Sequence, residues 1–186
     1  MRILNCITDF NHYFSAQTLH PQVAVAELFR ADFSLFDTKV YDMYALIMID
    51  GVFGELIRDG KPLPYTKGSL VTIRPGQSIE MKMDYTTKPQ GWMLAFKPEL
   101  LEKTGLGRDF YMFSYFNSDY SEAIRLTDME YGVIKNCFAN LYAELNTPKD
   151  HLSGQMIRLG IGTLLSYVKR YFEKQHTTSV LRSETL

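Results

Sequence analysis

The chain has 186 residues, 46% hydrophobic and 22% charged, ordinary proportions for one folded domain that exclude disorder as the main state. Lys and Arg total 20 against 21 Asp and Glu, a net charge of −1 with no basic stripe, which excludes a chain that grips nucleic acid through its own surface charge. Two cysteines, Cys6 and Cys137, are too few for a disulfide framework and fit a reducing compartment.

The first residues are interrupted by Asn5 and Asp9 before a signal-peptide core can form. In the C-terminal half the longest charge-free apolar stretch, Leu159 to Val168, is about half a membrane span. These features predict a cytoplasmic protein with no membrane partner. Lys169, Arg170 and Lys174 form the densest basic group, and a solvated helix face accounts for them.

Up to about residue 126 the chain alternates short apolar runs with turn residues. Val23–Phe29 reads as a strand. Tyr41–Asp50 is apolar on both faces, with Tyr44, Leu46 and Met48 against Ala45, Ile47 and Ile49, which suits a strand covered on both sides. Gly54–Arg58, Asp59-Gly60 and Lys61–Tyr65 read as a hairpin, and Pro62 and Pro64 put its second arm at an edge. Ser69–Ile73, Ser78–Met83 and Gly91–Phe96 complete a series of short strands that predicts an antiparallel sandwich or barrel. Pro98–Leu101 reads as a short helix, Phe110–Phe116 as a strand or packed loop, and Ala123–Leu126 as a last strand.

Two helices follow. Thr127 and Glu130 make a capping box before the first, Met129–Leu145, whose apolar residues fill an arc of roughly 140°. Thr147 to Asp150 breaks it. Ser153 can cap the second, which is expected to end near Lys174. Its apolar arc spans roughly 220°, twice what one core needs. Ile157, Ile161, Leu164, Leu165, Val168 and Phe172 form one part. Met156, Leu159, Gly160 and Tyr167 form the other, with Thr163 between them. The helix is therefore expected to bury one face on its own domain and one on a partner. Gly160 and Gly162 sit mid-helix after no strand, so close helix approach explains them better than a phosphate loop. The predicted organisation is residues 1–126 as a β domain with an N-terminal arm, 127–175 as a helical hairpin packed on it, and 176–186 as a polar linker or tail.

Catalytic chemistry is thin. His12, His20, His151 and His176 lie outside the predicted strands, no His-x-His or Cys-x-x-Cys occurs, and no metal site or cofactor is expected. Cys137 falls on the buried arc of its helix and reads as a core thiol rather than a nucleophile. Tyr44, Leu46, Met48, Ile79, Met81, Trp92 and Met93 offer thioethers and aromatic faces that can line a site for a small apolar or aromatic ligand, and plain core packing explains them equally well.

The run Gly68-Ser69-Leu70-Val71-Thr72-Ile73-Arg74-Pro75-Gly76-Gln77, then Gly91-Trp92-Met93-Leu94-Ala95-Phe96-Lys97-Pro98-Glu99-Leu100-Leu101, then two helices, resembles the N-terminal cupin-type domain of AraC-family transcription regulators over roughly residues 20 to 175. The resemblance implies a cupin-like antiparallel jelly-roll barrel followed by a two-helix appendage. It implies a sensor of a small-molecule effector that forms a homodimer through helices after the barrel; on the apolar arcs of the second helix, Met156, Leu159, Gly160, Thr163 and Tyr167 are the expected dimer contact. It also implies that DNA is bound only by a separate C-terminal helix-turn-helix domain, which does not follow before Leu186. Two positions depart from metal-binding cupins: Ile79 stands where a histidine often falls, and Tyr44 about where a carboxylate would. A metal-free, non-enzymatic regulatory domain is the expected function. The alternatives are a standalone cupin-fold isomerase or dioxygenase, and a structural dimeric barrel with no ligand.

Overall fold

A strand of alternating apolar residues that buries both faces must lie between two layers. The computed structural model, which describes residues 2–31, 39–83, 88–102, 104–108, 110–117, 120 and 122–183, shows those layers. Among the described residues ten short strands make two five-stranded sheets, and two long helices follow them.

The first sheet holds β1 (Arg2–Leu4), β3 (Lys39–Tyr41), β8 (Ser78–Met83), β5 (Gly54–Arg58) and β6 (Lys61–Pro62), in the order β1-β3-β8-β5-β6. The second holds β10 (Ile124–Arg125), β7 (Ser69–Ile73), β4 (Tyr44–Ile49), β9 (Gly91–Phe96) and β2 (Val23–Glu27), in the order β10-β7-β4-β9-β2. All described pairings are antiparallel except β1 with β3.

Four strands have the bounds their turn residues predict: Gly54–Arg58, Ser69–Ile73, Ser78–Met83 and Gly91–Phe96. Others are shorter. The run from Val23 leaves the sheet after Glu27 in a 3-10 turn over Leu28–Arg30. Tyr41–Asp50 is two strands, because Asp42 and Met43 form the turn between β3 and β4. At the hairpin tip Asp59 and Gly60 take φ of 50° and 76°, the left-handed pair that matches strand twist. Pro62 ends the second arm after two residues. The aromatic run is not a strand: it coils into 3-10 turns at Phe110–Met112 and Ser114–Phe116.

The two sheets share one core, made by Tyr41, Leu56 and Ile79 from the first and Ala45, Ile47, Ile49, Val71, Ile73 and Met93 from the second. The other face of the second sheet carries Leu46, Met48, Leu70, Leu94 and Phe96 and is covered by the aromatic turns and the helices. Thr72, on that face, donates from Oγ1 to the Tyr115 carbonyl (2.9 Å), and the Tyr115 hydroxyl donates to the Leu165 carbonyl (3.0 Å). These two bonds tie strand, turn and helix together, and burial pushes the Tyr115 phenol well up.

The first long helix, Asp128–Asn146, follows Thr127. The Thr127 N–H donates to Glu130 Oε2 (2.9 Å) and the Glu130 N–H to Thr127 Oγ1 (3.3 Å), the predicted capping box. Burial alone would raise the Glu130 carboxyl, but the Lys174 ammonium (2.9 Å) and Thr127 hold it below its ordinary value. The second helix, Ser153–Ser183, begins differently from expectation. Asp150 Oδ1 accepts the N–H groups of Leu152 (2.8 Å) and Ser153 (2.9 Å), and Ser153 Oγ turns back to accept the Asp150 N–H (3.0 Å). Asp150, rather than Ser153, therefore supplies the side chain that satisfies the first orphan amides. At the other end the helix passes through the segment expected to be a linker, running on to Ser183. Residues 184–186 of that segment lie outside the described residues.

Candidate functional site

Period-two alternation decides which of the predicted lining residues can meet. Register pairs Met48 with Trp92 and Ile47 with Met93, so Trp92 and Met93 face opposite sides of the second sheet. Tyr44, Leu46, Met48 and Trp92 face the helices. Tyr44 stacks on Phe96 (5.7 Å between centroids) and meets Phe110 and Phe116, while Trp92 meets Tyr142 edge-on (5.3 Å). Ile79, Met81 and Met93 lie in the core between the sheets. The seven residues therefore do not line one site. They divide into a helix-facing group of four and an inter-sheet group of three, and the sheet separates them. Burial raises the Tyr44 phenol, so it is neutral at physiological pH and is no carboxylate substitute.

The second helix keeps the division read from its two arcs. Ile157, Ile161, Leu164, Leu165, Val168 and Phe172 are buried. Met156 and Leu159 are 51% and 57% exposed, Thr163 is exposed and Tyr167 half-buried. With Leu106 of the short helix α2 (Gly105–Arg108), Leu159, Thr163 and Tyr167 border an open groove of about 330 Å³. Gly160 does not belong with this stripe. A Cβ there would stand 2.7 Å from Leu141 Cδ2, so this glycine lets the two long helices approach each other. Gly162 does the same for Leu106, whose Cδ1 would stand 2.3 Å from its Cβ.

One feature was predicted only as an unspecified arm. After β1, Ile7–Tyr13 forms the helix α1, with the Asp9 carboxylate accepting the N–H groups of Asn5 (3.0 Å) and Cys6 (3.3 Å) at its start. Leu4, Ile7, Phe10 and Phe14 are 1% exposed or less and enter the inter-sheet core. Room for them comes from a row of small residues: Ala24, Ala95 and Ala45 stand side by side on β2, β9 and β4. Lys97 fastens the arm, donating from Nζ to the carbonyls of Asn5 (2.7 Å) and Asp42 (2.9 Å). Two sequence signals point to this packing: the helical spacing of Ile7, Phe10 and Phe14, and alanines where neighbouring strands carry Ile and Met.

Among the described residues no group of three His, Cys, Asp or Glu side chains could hold a metal ion, and no helix is long and apolar enough to cross a membrane. Cys137 is half-buried and burial pushes its thiol up, away from nucleophilic thiolate. His20 accepts the Gln22 N–H at Nδ1 (3.1 Å); burial and the cations Lys149 and Arg158 lower its pKa. No protein-family model matches this chain, and no curated protein matches it in sequence.

Proposed function

We propose that the chain is the ligand-sensing and dimerisation domain of an AraC-type transcription regulator, a cupin-like jelly roll with a two-helix appendage. DNA contact would belong to a helix-turn-helix domain outside these residues, and the chain itself would carry no catalysis. The observation that carries the reading is the exposed apolar pair Met156 and Leu159, continued by the half-buried Tyr167, on a helix whose opposite face is buried. Two copies joined through this stripe would present paired DNA-binding domains with the two-fold symmetry of a palindromic site.

In this reading a small effector enters between the sheets beside Ile79, Met81 and Met93, where the arm residues Phe10 and Phe14 now pack. It acts by its differential affinity for arrangements of arm and sheets, since equal affinity for both would shift nothing. The helix-facing group of Tyr44, Leu46, Met48 and Trp92 lies between that core and the helices, and so transmits the change. The reading predicts a homodimer in the cytoplasm. Its test is the mass of the native polypeptide in its source cell, by immunoblot against the purified chain. A species larger by about 100 residues, the size of a small domain, supports the regulator. A species of the same mass as the purified chain removes the DNA-binding role.

A further inference from the structure

Outside the inter-sheet core, a half-enclosed cavity of about 190 Å³ lies between the end of α1, the free edge of β2 and the end of the first long helix. Its lining includes Asn11, Val25, Arg30, Tyr142 and Asn146. At about 30 Å³ per water it holds about six waters, the room of a very small solute.

Its polar groups are set by the fold. Among the described residues β2 is an edge strand whose one neighbour is β9. The Lys97 N–H donates to the Gln22 carbonyl (2.8 Å), and the register runs Ala24 to Ala95 and Ala26 to Met93. The even-numbered residues therefore bond β9, and the N–H and C=O of Val25 point the other way, to the edge. No hydrogen bond among the described residues uses them. Edge strands are usually blunted by charge, proline or a bulge, and β2 has only Glu27, at its last position. Asn11 is 3% exposed; its amide bonds Thr18 Oγ1 at one end (3.2 Å), and the other end has no partner among the described residues. Arg30 uses Nε on Glu27 (3.0 Å), and its terminal nitrogens have no hydrogen bond among the described residues.

We propose that this cavity binds a free dipeptide of small residues. One ligand residue exchanges two hydrogen bonds with Val25, extending the sheet by a single residue. Its ammonium or first peptide group meets the Asn11 amide, and its carboxylate meets Arg30 as a charge-assisted pair. Tyr142 packs over the chain. This binding stands apart from the regulator reading, because it needs neither DNA nor a dimer.

The test titrates Ala-Ala into the full chain, followed by amide proton–nitrogen spectra. The Val25 resonance is expected to shift saturably. Ala-Ala amide, lacking the carboxylate, is expected to bind about fivefold more weakly, the scale of one partly exposed ion pair. In Arg30→Gln, a surface change that leaves the core intact, that difference is expected to vanish. No saturable Val25 shift up to the order of 10 mM overturns the site, since affinity weaker than that leaves almost no binding energy to explain. Equal affinity of the dipeptide and its amide for the wild-type chain overturns the role of Arg30 and with it the ligand class.

Discussion

Gly91 and Gly160 are both crowded glycines, and the crowding differs in kind. At Gly91 φ is +136° and a Cβ would stand 2.0 Å from the Met48 carbonyl oxygen, part of a central strand that cannot move alone. At Gly160 the obstacle is the tip of Leu141, a side chain that can turn. Gly91→Ala is therefore expected to cost about 3 kcal/mol or more. Gly160→Ala, offset by the helix preference for alanine, is expected to stay within about 1 kcal/mol of wild type. Urea unfolding of the two variants checks this, and the reverse order would refute the account of Gly91. His20 makes a second prediction at this scale. The fold favours its neutral form, while the unfolded chain binds a proton near the ordinary 6.5. The unfolded state then holds more protons below pH 6.5, so stability falls as pH drops through 6.5 toward the lowered native value. Thermal unfolding from pH 7.5 to 5 should show that fall, and His20→Gln should flatten it; an unchanged slope in the variant assigns the effect elsewhere.

The second long helix carries the proposed dimer contact. Its two apolar arcs follow from 3.6-residue periodicity, and the structure buries one while leaving Met156 and Leu159 exposed. Leu159→Glu puts a charge into that stripe without touching the core. Sedimentation is expected to show a dimer for the wild-type chain and a monomer for the variant, with the thermal midpoint of the monomer little changed. A variant that stays dimeric moves the interface off this face. Other elements were legible for similar local reasons: Asp59-Gly60, Pro75-Gly76 and the capping box of Thr127 and Glu130 punctuate the chain. What could not be read was the side each strand turns inward. β4 is apolar on both faces, so its alternation says that it is covered twice and not by what. The pairing of Met48 with Trp92 settles that, and it depends on a strand more than forty residues away. Tyr44, Leu46 and Met48 were grouped with Met93 for want of it. The start of the second helix differs because the amides that Ser153 would cap, those of Gln155 and Met156, already donate to the Leu152 carbonyl, while Asp150 accepts the amides of Leu152 and Ser153 one turn earlier.

At the scale of the whole molecule, the arm decides whether the sheets close on protein or on something else. The alanine row of Ala24, Ala95 and Ala45 leaves a recess that the sheets do not fill with their own side chains, and Phe10 and Phe14 occupy it with rings 4.6 Å apart. A short helix of seven residues is not stable alone, so α1 holds its shape only while it is docked. The arm is thus held in shape by the inter-sheet core and fastened at its rim by Lys97. Phe10→Ala removes the arm's most buried ring and is expected to cost about 3–5 kcal/mol if the arm unfolds with the domain. If instead the arm can detach while the sheets persist, the global loss is smaller and the recess opens to an apolar dye. Urea unfolding read by tryptophan fluorescence, which reports Trp92 beneath the helices, and dye binding measured before the transition separate the two cases. The proposed effector mechanism requires the second: dye uptake in Phe10→Ala before Trp92 responds. A single coincident transition with no early dye binding would mean that the arm is a fixed part of the core, and an effector would then have no recess between the sheets to enter.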